Sequence, residues 1–328
     1  MKKRYAKGIL FICIHFFAFA LYLCQTTGEE ISKEIVRPPA VAGMFYPGSP
    51  NDLRREITSL LDNAPEVKPA GMILAAFAPH AGYAYSGGVA ACTYKLLATV
   101  EFDTLIIIGH DTFRDAVAFM CPVDYFRTPL GKMPVDREMM AKMHAFHPGI
   151  KSDRTIHARD HTVEVQLPFL QVQNRQCKIV PILFGNPTME NCRILSDAIL
   201  SAAGTKKVFV LASTDMSHYP PYDSACKVDK STLEVIGALD INQFFKHLAK
   251  YERQSSIPNL RTAICASGGV GTAILWAKAH GADHAQILHY ANSGDIPAGD
   301  KHRVVGYCSV LLVKKPNKIN SSDTDPYP

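Results

Sequence analysis

Three apolar runs in this chain each end in side chains that can bind a metal or move a proton. Residues 72–78 lead into Pro79-His80-Ala81-Gly82-Tyr83, and residues 104–108 into Gly109-His110-Asp111-Thr112. Residues 207–212 lead into Ser213-Thr214-Asp215-Met216-Ser217-His218. If the three runs are parallel neighbours, their carboxyl ends share the rim at which open α/β sheets bind ligands. His80, His110, Asp215 and His218 would then face one pocket. His161 and Glu164 stand at i, i+3, a spacing that puts both on one helix face, where one can orient the other or hold its proton. Cys265 lies just before Ser267-Gly268-Gly269, at the start of a helical pattern. A helix N-terminus there would favour the thiolate, the form that binds metals and attacks electrophiles. His144, His147, His247, His280 and His284 have no partner at ligand spacing and read as surface or capping residues. His289 and Trp276 read as core.

The elements that must position these groups are short. Strand patterns cover 72–78, 104–108, 116–121, 178–184, 207–212, 285–291 and 304–313. Helical patterns cover 87–100, 136–146, 161–173, 188–203, 223–238, 240–251 and 268–280, with Pro168 bending or restarting the third. Pro181 favours an edge or irregular position for its strand. Uninterrupted apolar strands alternating with helices predict a single three-layer α/β domain around a mostly buried mixed sheet. The expected organisation is a sorting segment over 1–24, a lead-in over 25–36, one domain over 37–313 and a disordered tail over 314–328.

Composition narrows the function classes. The chain has 328 residues, 47% hydrophobic and 20% charged, which excludes a disordered polyelectrolyte and a small disulfide scaffold. Its net charge of +5 owes four charges to Lys2, Lys3, Arg4 and Lys7, so the remainder is close to neutral. That gives no support for a nucleic-acid-binding face. The same four cations precede an apolar stretch over 8–24, the pattern of an export signal. Ala18-Phe19-Ala20 offers a cleavage site. Residues 21–24 resemble an imperfect lipid-attachment box, and an uncleaved anchor is the third alternative. The expectation is an exported protein, periplasmic or membrane-anchored, whose N-terminus meets the membrane or the export machinery. Nine cysteines, none in a CxxC pair, form neither a zinc ribbon nor a disulfide framework. Most read as small buried hydrophobes. GxSxG, P-loop and Rossmann fingerprints are missing from the sequence.

Taken together, the motifs resemble a known family. Ala78-Pro79-His80-Ala81-Gly82-Tyr83, Asp160-His161-Thr162-Val163-Glu164-Val165-Gln166-Leu167-Pro168-Phe169, Ser213 to His218 and Ala263-Ile264-Cys265 occur in the order and spacing of the Memo family, also called AmmeMemoRadiSam system protein B. Ala42-Gly43-Met44-Phe45-Tyr46 is similar to its start, and the resemblance runs from about Arg37 to Val313. It implies a fold like that of the class III extradiol dioxygenases and a redox metal, iron or copper, with zinc a weaker candidate. Carried over by position, His80 and Cys265 match two ligands, Asp215 and His218 a nearby acid/base pair, and His161 and Glu164 a motif beside the pocket. After the second strand the family reads Gly-Pro-(Ser/Asn)-His, whereas here Thr112 stands where the histidine is expected. His110 could serve through a shifted loop, His218 could complete the set, or the metal could be lost. Ala266-Ser267-Gly268-Gly269 also departs from the more polar residues usual after the cysteine.

Two imidazoles and a thiolate suit iron, copper or zinc rather than magnesium or calcium. The resemblance therefore implies oxidase or dioxygenase-type chemistry on a small-molecule substrate. A metal-dependent hydrolase and a non-catalytic binding or scaffold protein are the competing readings. It also implies association with radical-SAM and AMMECR-type proteins.

Overall fold

Apolar runs with no polar alternation are stable only in a sheet covered on both faces, and that is where this sequence puts them. The structure is a computed structural model that describes residues 34–254, 256–297 and 299–316, and from Ile35 onward these belong to one compact unit. The segment read as an export signal and most of the expected tail lie outside the described residues. Among the described residues, no helix is long and apolar enough to cross a membrane.

The chain begins with β1 (Val36–Arg37), α1 (Pro50–Asn63), β2 (Met72–Ala78), α2 (Tyr83–Leu97), β3 (Thr104–Asp111) and β4 (Ala118–Met120). It continues through β5 (Tyr125–Thr128), β6 (Gly131–Pro134), α3 (Arg137–Phe146), β7 (Ile150–Ser152) and α4 (Arg154–His157). A 3-10 turn at Glu164–Gln166 leads into α5 (Leu167–Val172), β8 (Lys178–Phe184), α6 (Met189–Ala203) and β9 (Val208–Ser213). Last come α7 (Tyr222–Gly237), α8 (Ile241–Gln254), α9 (Ser267–Ala279), β10 (His284–Asn292) and β11 (Gly306–Lys314).

Eight strands form one mixed sheet in the order β10-β11-β2-β9-β3-β8-β4-β7, flanked by helices. Its centre, β2-β9-β3-β8, is parallel throughout, so the carboxyl ends of β2, β9 and β3 are neighbours as the apolar runs implied. A small sheet of β1, β5 and β6 and the helix α1 lie in stretches to which the sequence patterns assign no element. Helix starts follow their capping residues: Ser49, Asp136 and Thr188 each accept from an amide three residues on.

Pro181 takes the irregular position of the two expected for it, not the edge. It sits in β8, an interior strand, opposite Ile107 of β3. On the other side β4 reaches only Ile182–Phe184 and Val135 bridges to Ile179, which leaves a gap in the ladder opposite the proline. A residue without an amide proton fits such a gap.

Two starts matter for the site. Helix α2 begins at Tyr83, earlier than its pattern suggests, so only Pro79–Gly82 separate it from β2 and the His80 loop is short. The glycines opening α9 are there for packing. A Cβ at Gly268 would lie 2.2 Å from the buried Phe184 ring, and one at Gly269 would lie 3.1 Å from Ile108. Gly268→Ala should therefore destabilise the fold by about 1–3 kcal/mol through overpacking. Gly88→Ala on α2, where a Cβ meets nothing within 4 Å, should be neutral or stabilising. Chemical denaturation of the two variants checks the contrast.

Candidate functional site

His80 lies just past β2, and its ring is held by a chain of hydrogen bonds whose directions are forced. The Tyr94 hydroxyl donates to Gln166 Oε1 (2.8 Å), and Gln166 Nε2 donates to the Pro79 carbonyl (2.9 Å) and to Ser213 Oγ (2.8 Å). Ser213 uses its one proton on the Thr162 carbonyl (2.6 Å). Towards His80 Nδ1, at 3.3 Å, Ser213 can then only accept. The proton of His80 therefore sits on Nδ1, and Nε2 is left as an acceptor. Burial pushes the His80 pKa down to about 4, which keeps the ring neutral near pH 7.

That acceptor faces Cys265 Sγ at 3.2 Å, with Asp215 Oδ2 at 3.8 Å. Asp215, just past β9, accepts from the His80 amide at 2.8 Å, while its own amide donates to Cys265 Sγ at 3.2 Å. Burial raises Asp215 to about 6 against the pull of the His80 and Ala81 amides. Burial also raises the Cys265 thiol well above its ordinary value. Burial, helped by the Asp215 charge and opposed by the Asp215 amide and the Thr214 hydroxyl, thus works against the thiolate that a helix end would favour.

His218 is held by backbone bonds, its amide to Thr262 O and a bridge to Val305. Its Nε2 is buried with no hydrogen-bond partner, and burial lowers its pKa. Asp215 acts on His218 through its charge, which favours the protonated ring but does not overcome burial.

His110 lies close enough to His80 and His161 to disfavour their charged forms, and its ring is paired with Asp160. Its Nδ1 lies 3.4 Å from Asp160 Oδ1, an ion-pair distance without hydrogen-bond geometry, and the side chain is 40% exposed. Burial works against its charged form, but Asp160 prevails and holds its pKa above the usual value. Asp160 is itself fixed by the Thr162 hydroxyl and the Val163 amide. Thr112, in the position where the family's histidine is expected, donates its amide to Phe184 O. Between them, Asp111 accepts from Ser267 Oγ at 2.7 Å and the Gly268 amide at 3.1 Å, and burial raises it to about 7. The end of β3 and the start of α9 thus touch each other. Among the described residues, no three His, Cys, Asp or Glu side chains are placed to hold one ion together.

His161 and Glu164 do not share a helix face. Residues 160–163 form a turn capped by Asp160, and the helical part starts only at Glu164. The His161 ring packs against Phe45 (4.7 Å between centroids) and edge-on to His80 (5.5 Å). Glu164 is fully buried and faces the other way. It pairs with Arg37, accepts from the Ala40 (2.7 Å) and Val41 (3.1 Å) amides, and accepts from the Tyr46 hydroxyl. Arg37 also donates to the carbonyls of His157 and Asp160. Sequence reasoning gave no role to Arg37, Gln166 or Ser213, although Gln166 and Ser213 lie inside quoted motifs. Arg37→Met should cost about 3–5 kcal/mol by leaving Glu164 buried without its cation. Equilibrium denaturation measures this, and a loss under 1 kcal/mol would contradict the assigned role.

Comparison with known proteins agrees with these motifs. The profile of the Memo-like protein family matches residues 37–311. A MEMO1 family protein of Methanopyrus kandleri is 36% identical over 289 residues, covering 84% of this chain and 98% of its own. One from Methanosarcina barkeri is 34% identical over 281 residues, covering 84% and 100%. One from Ignicoccus hospitalis is 36% identical over 290 residues, covering 84% and 98%. A solved structure of an uncharacterised Escherichia coli protein overlaps 73% of this chain and 99% of its own at a TM-score of 0.46 and 10% identity, too distant to carry weight. Matched along nearly the whole described region by the profile and by relatives of similar length, the chain belongs to the Memo-like family.

Proposed function

We propose that the pocket is a redox-metal site, for iron or copper, at which His80 and Cys265 hold the ion and His218 serves as proton acceptor for a small-molecule substrate. The observation that carries this reading is the forced tautomer of His80: a neutral ring, its Nδ1–H committed to Ser213, presenting its Nε2 acceptor to the Cys265 thiol at 3.2 Å. Metal-bound histidines are commonly held in this way. The donor types suit a borderline-to-soft ion. Their spacing is near the roughly 3.5 Å that separates a nitrogen and a sulfur on one tetrahedral ion. The ion would supply redox capacity and a place for a substrate oxygen or dioxygen to bind.

The protein's own groups do the rest. Ser213 and Gln166 orient His80, and the Asp215 amide donates to the sulfur, an interaction that strengthens once the thiol loses its proton. His218 Nε2, without a protein partner, is free to accept a proton from substrate. His161 and Phe45 wall the site. His110, turned to Asp160, is not assigned to the metal. In the same reading residues 1–24 take the protein out of the cytosol, where a bound ion would shield Cys265 from oxidation.

The test is the metal content of untagged protein purified anaerobically. Near-stoichiometric iron or copper is expected, falling at least tenfold in His80→Ala and Cys265→Ala and unchanged in His110→Ala. Ser213→Ala should keep the fold but weaken metal affinity about 10–100-fold, because the tautomer is no longer held. Stoichiometric zinc would favour a metal-dependent hydrolase instead. Absence of any metal would sink both, leaving the binding or scaffold reading, which the lack of a three-ligand cluster among the described residues favours.

A further inference from the structure

Immediately after His218, Tyr219 has a φ of +71°, a left-handed conformation that is costly for a large side chain. Its backbone is pinned on both sides. The Tyr219 amide donates to Val304 O (2.7 Å), and the Val304 amide donates to Pro220 O (3.0 Å). The Arg261 amide donates to His218 O (3.1 Å). This weave brings two arginines to one ring: the guanidinium carbon of Arg261 lies 5.3 Å from the Tyr219 centroid, and that of Arg303 lies 4.9 Å from it.

Both arginines are exposed, and neither has a carboxylate partner within 4 Å among the described residues. The acids of the neighbouring loop are already engaged. Asp295 accepts from the Tyr222 hydroxyl and the Asn292 amide, and Asp300 accepts from the His302 amide. Lys301, over the Tyr222 ring at 4.7 Å, adds a third cation on the same segment. Two guanidinium carbons held within about 10 Å of each other concentrate positive potential at one point of the surface. Stacking on an aromatic face leaves a guanidinium's N–H fork free, and that fork matches the oxygens of a carboxylate or phosphate.

We infer that Arg261 and Arg303, set by Tyr219, form a subsite for an anionic group, a carboxylate or a phosphate, of the molecule that enters the His80–Cys265 pocket. That the anion belongs to the pocket's substrate rests on the reading above; the anion subsite itself does not. The Tyr219 ring that both arginines flank lies edge-on to the His218 ring at 5.5 Å between centroids, and the Arg261 charge is close enough to disfavour protonation of His218. An uncharged molecule would leave the two cations unpaired.

The experiment is calorimetric titration of the full chain with inorganic phosphate and, separately, benzoate, with benzamide as the neutral control. Wild type, Arg261→Met, Arg303→Met, the double variant and His80→Ala are compared, each metal-free and metal-loaded, after melting curves confirm that they fold. Saturable, salt-sensitive binding of at least one anion is expected, weakened about tenfold or more by each arginine substitution, with none for benzamide. Preference between phosphate and benzoate identifies the anionic group. Binding that survives in the double variant, or no binding of either anion to wild type, overturns the subsite. Arginine-dependent binding to protein that takes up no metal supports the subsite while refuting the metal reading. Anion binding lost in His80→Ala but unchanged in the double variant does the reverse.

Discussion

A carboxylate removed from water must be surrounded by donors, and in this protein Glu164 is that carboxylate. Arg37, two amides of the following loop and Tyr46 converge on it, fastening residues 37–46 to the turn at 157–166. Removing two charges from water costs several kcal/mol per ion, so the arrangement holds only because nearly every lone pair is used. Its importance is positional. The same turn carries the Thr162 carbonyl that takes the Ser213 proton and the Gln166 amide that donates to Ser213. The orientation of His80 therefore depends on an ion pair that never touches the pocket.

What was legible in the sequence follows from what local pattern encodes. Buried parallel strands are short apolar runs, so β2, β3 and β9 and their shared rim could be read directly, along with His80, Asp215 and His218. The helix α1 and the small sheet β1-β5-β6 lie where Pro-rich and polar segments blur the periodicity, and no element was assigned there. Glu164 was misread because an i, i+3 spacing has meaning only inside a helix, and Asp160 turns the chain before the helix begins. Arg37 is 127 residues from its partner, a separation that no local pattern can bridge.

Cysteine behaviour was legible in part. All seven described cysteines are free, and five are buried, as small hydrophobes would be. Cys265 differs through its neighbours and not its type: His80 Nε2 and the Asp215 amide meet at its sulfur. The helix end that suggested a reactive thiolate is real, but burial is the larger effect. The state of that sulfur therefore depends on what sits beside it.

The contact between Asp111 and the start of α9 ties together two stretches that look independent in the linear sequence. Asp111 and Ser267 share a hydrogen bond across 156 residues, and the Gly268 amide closes the pair. A histidine placed at position 112 alone would leave the buried Asp111 committed to Ser267 and Gly268. Replacing Ser267 alone would leave that aspartate without its hydroxyl partner. Substitutions in the two stretches are therefore expected to be non-additive, as they are for groups that share a hydrogen bond.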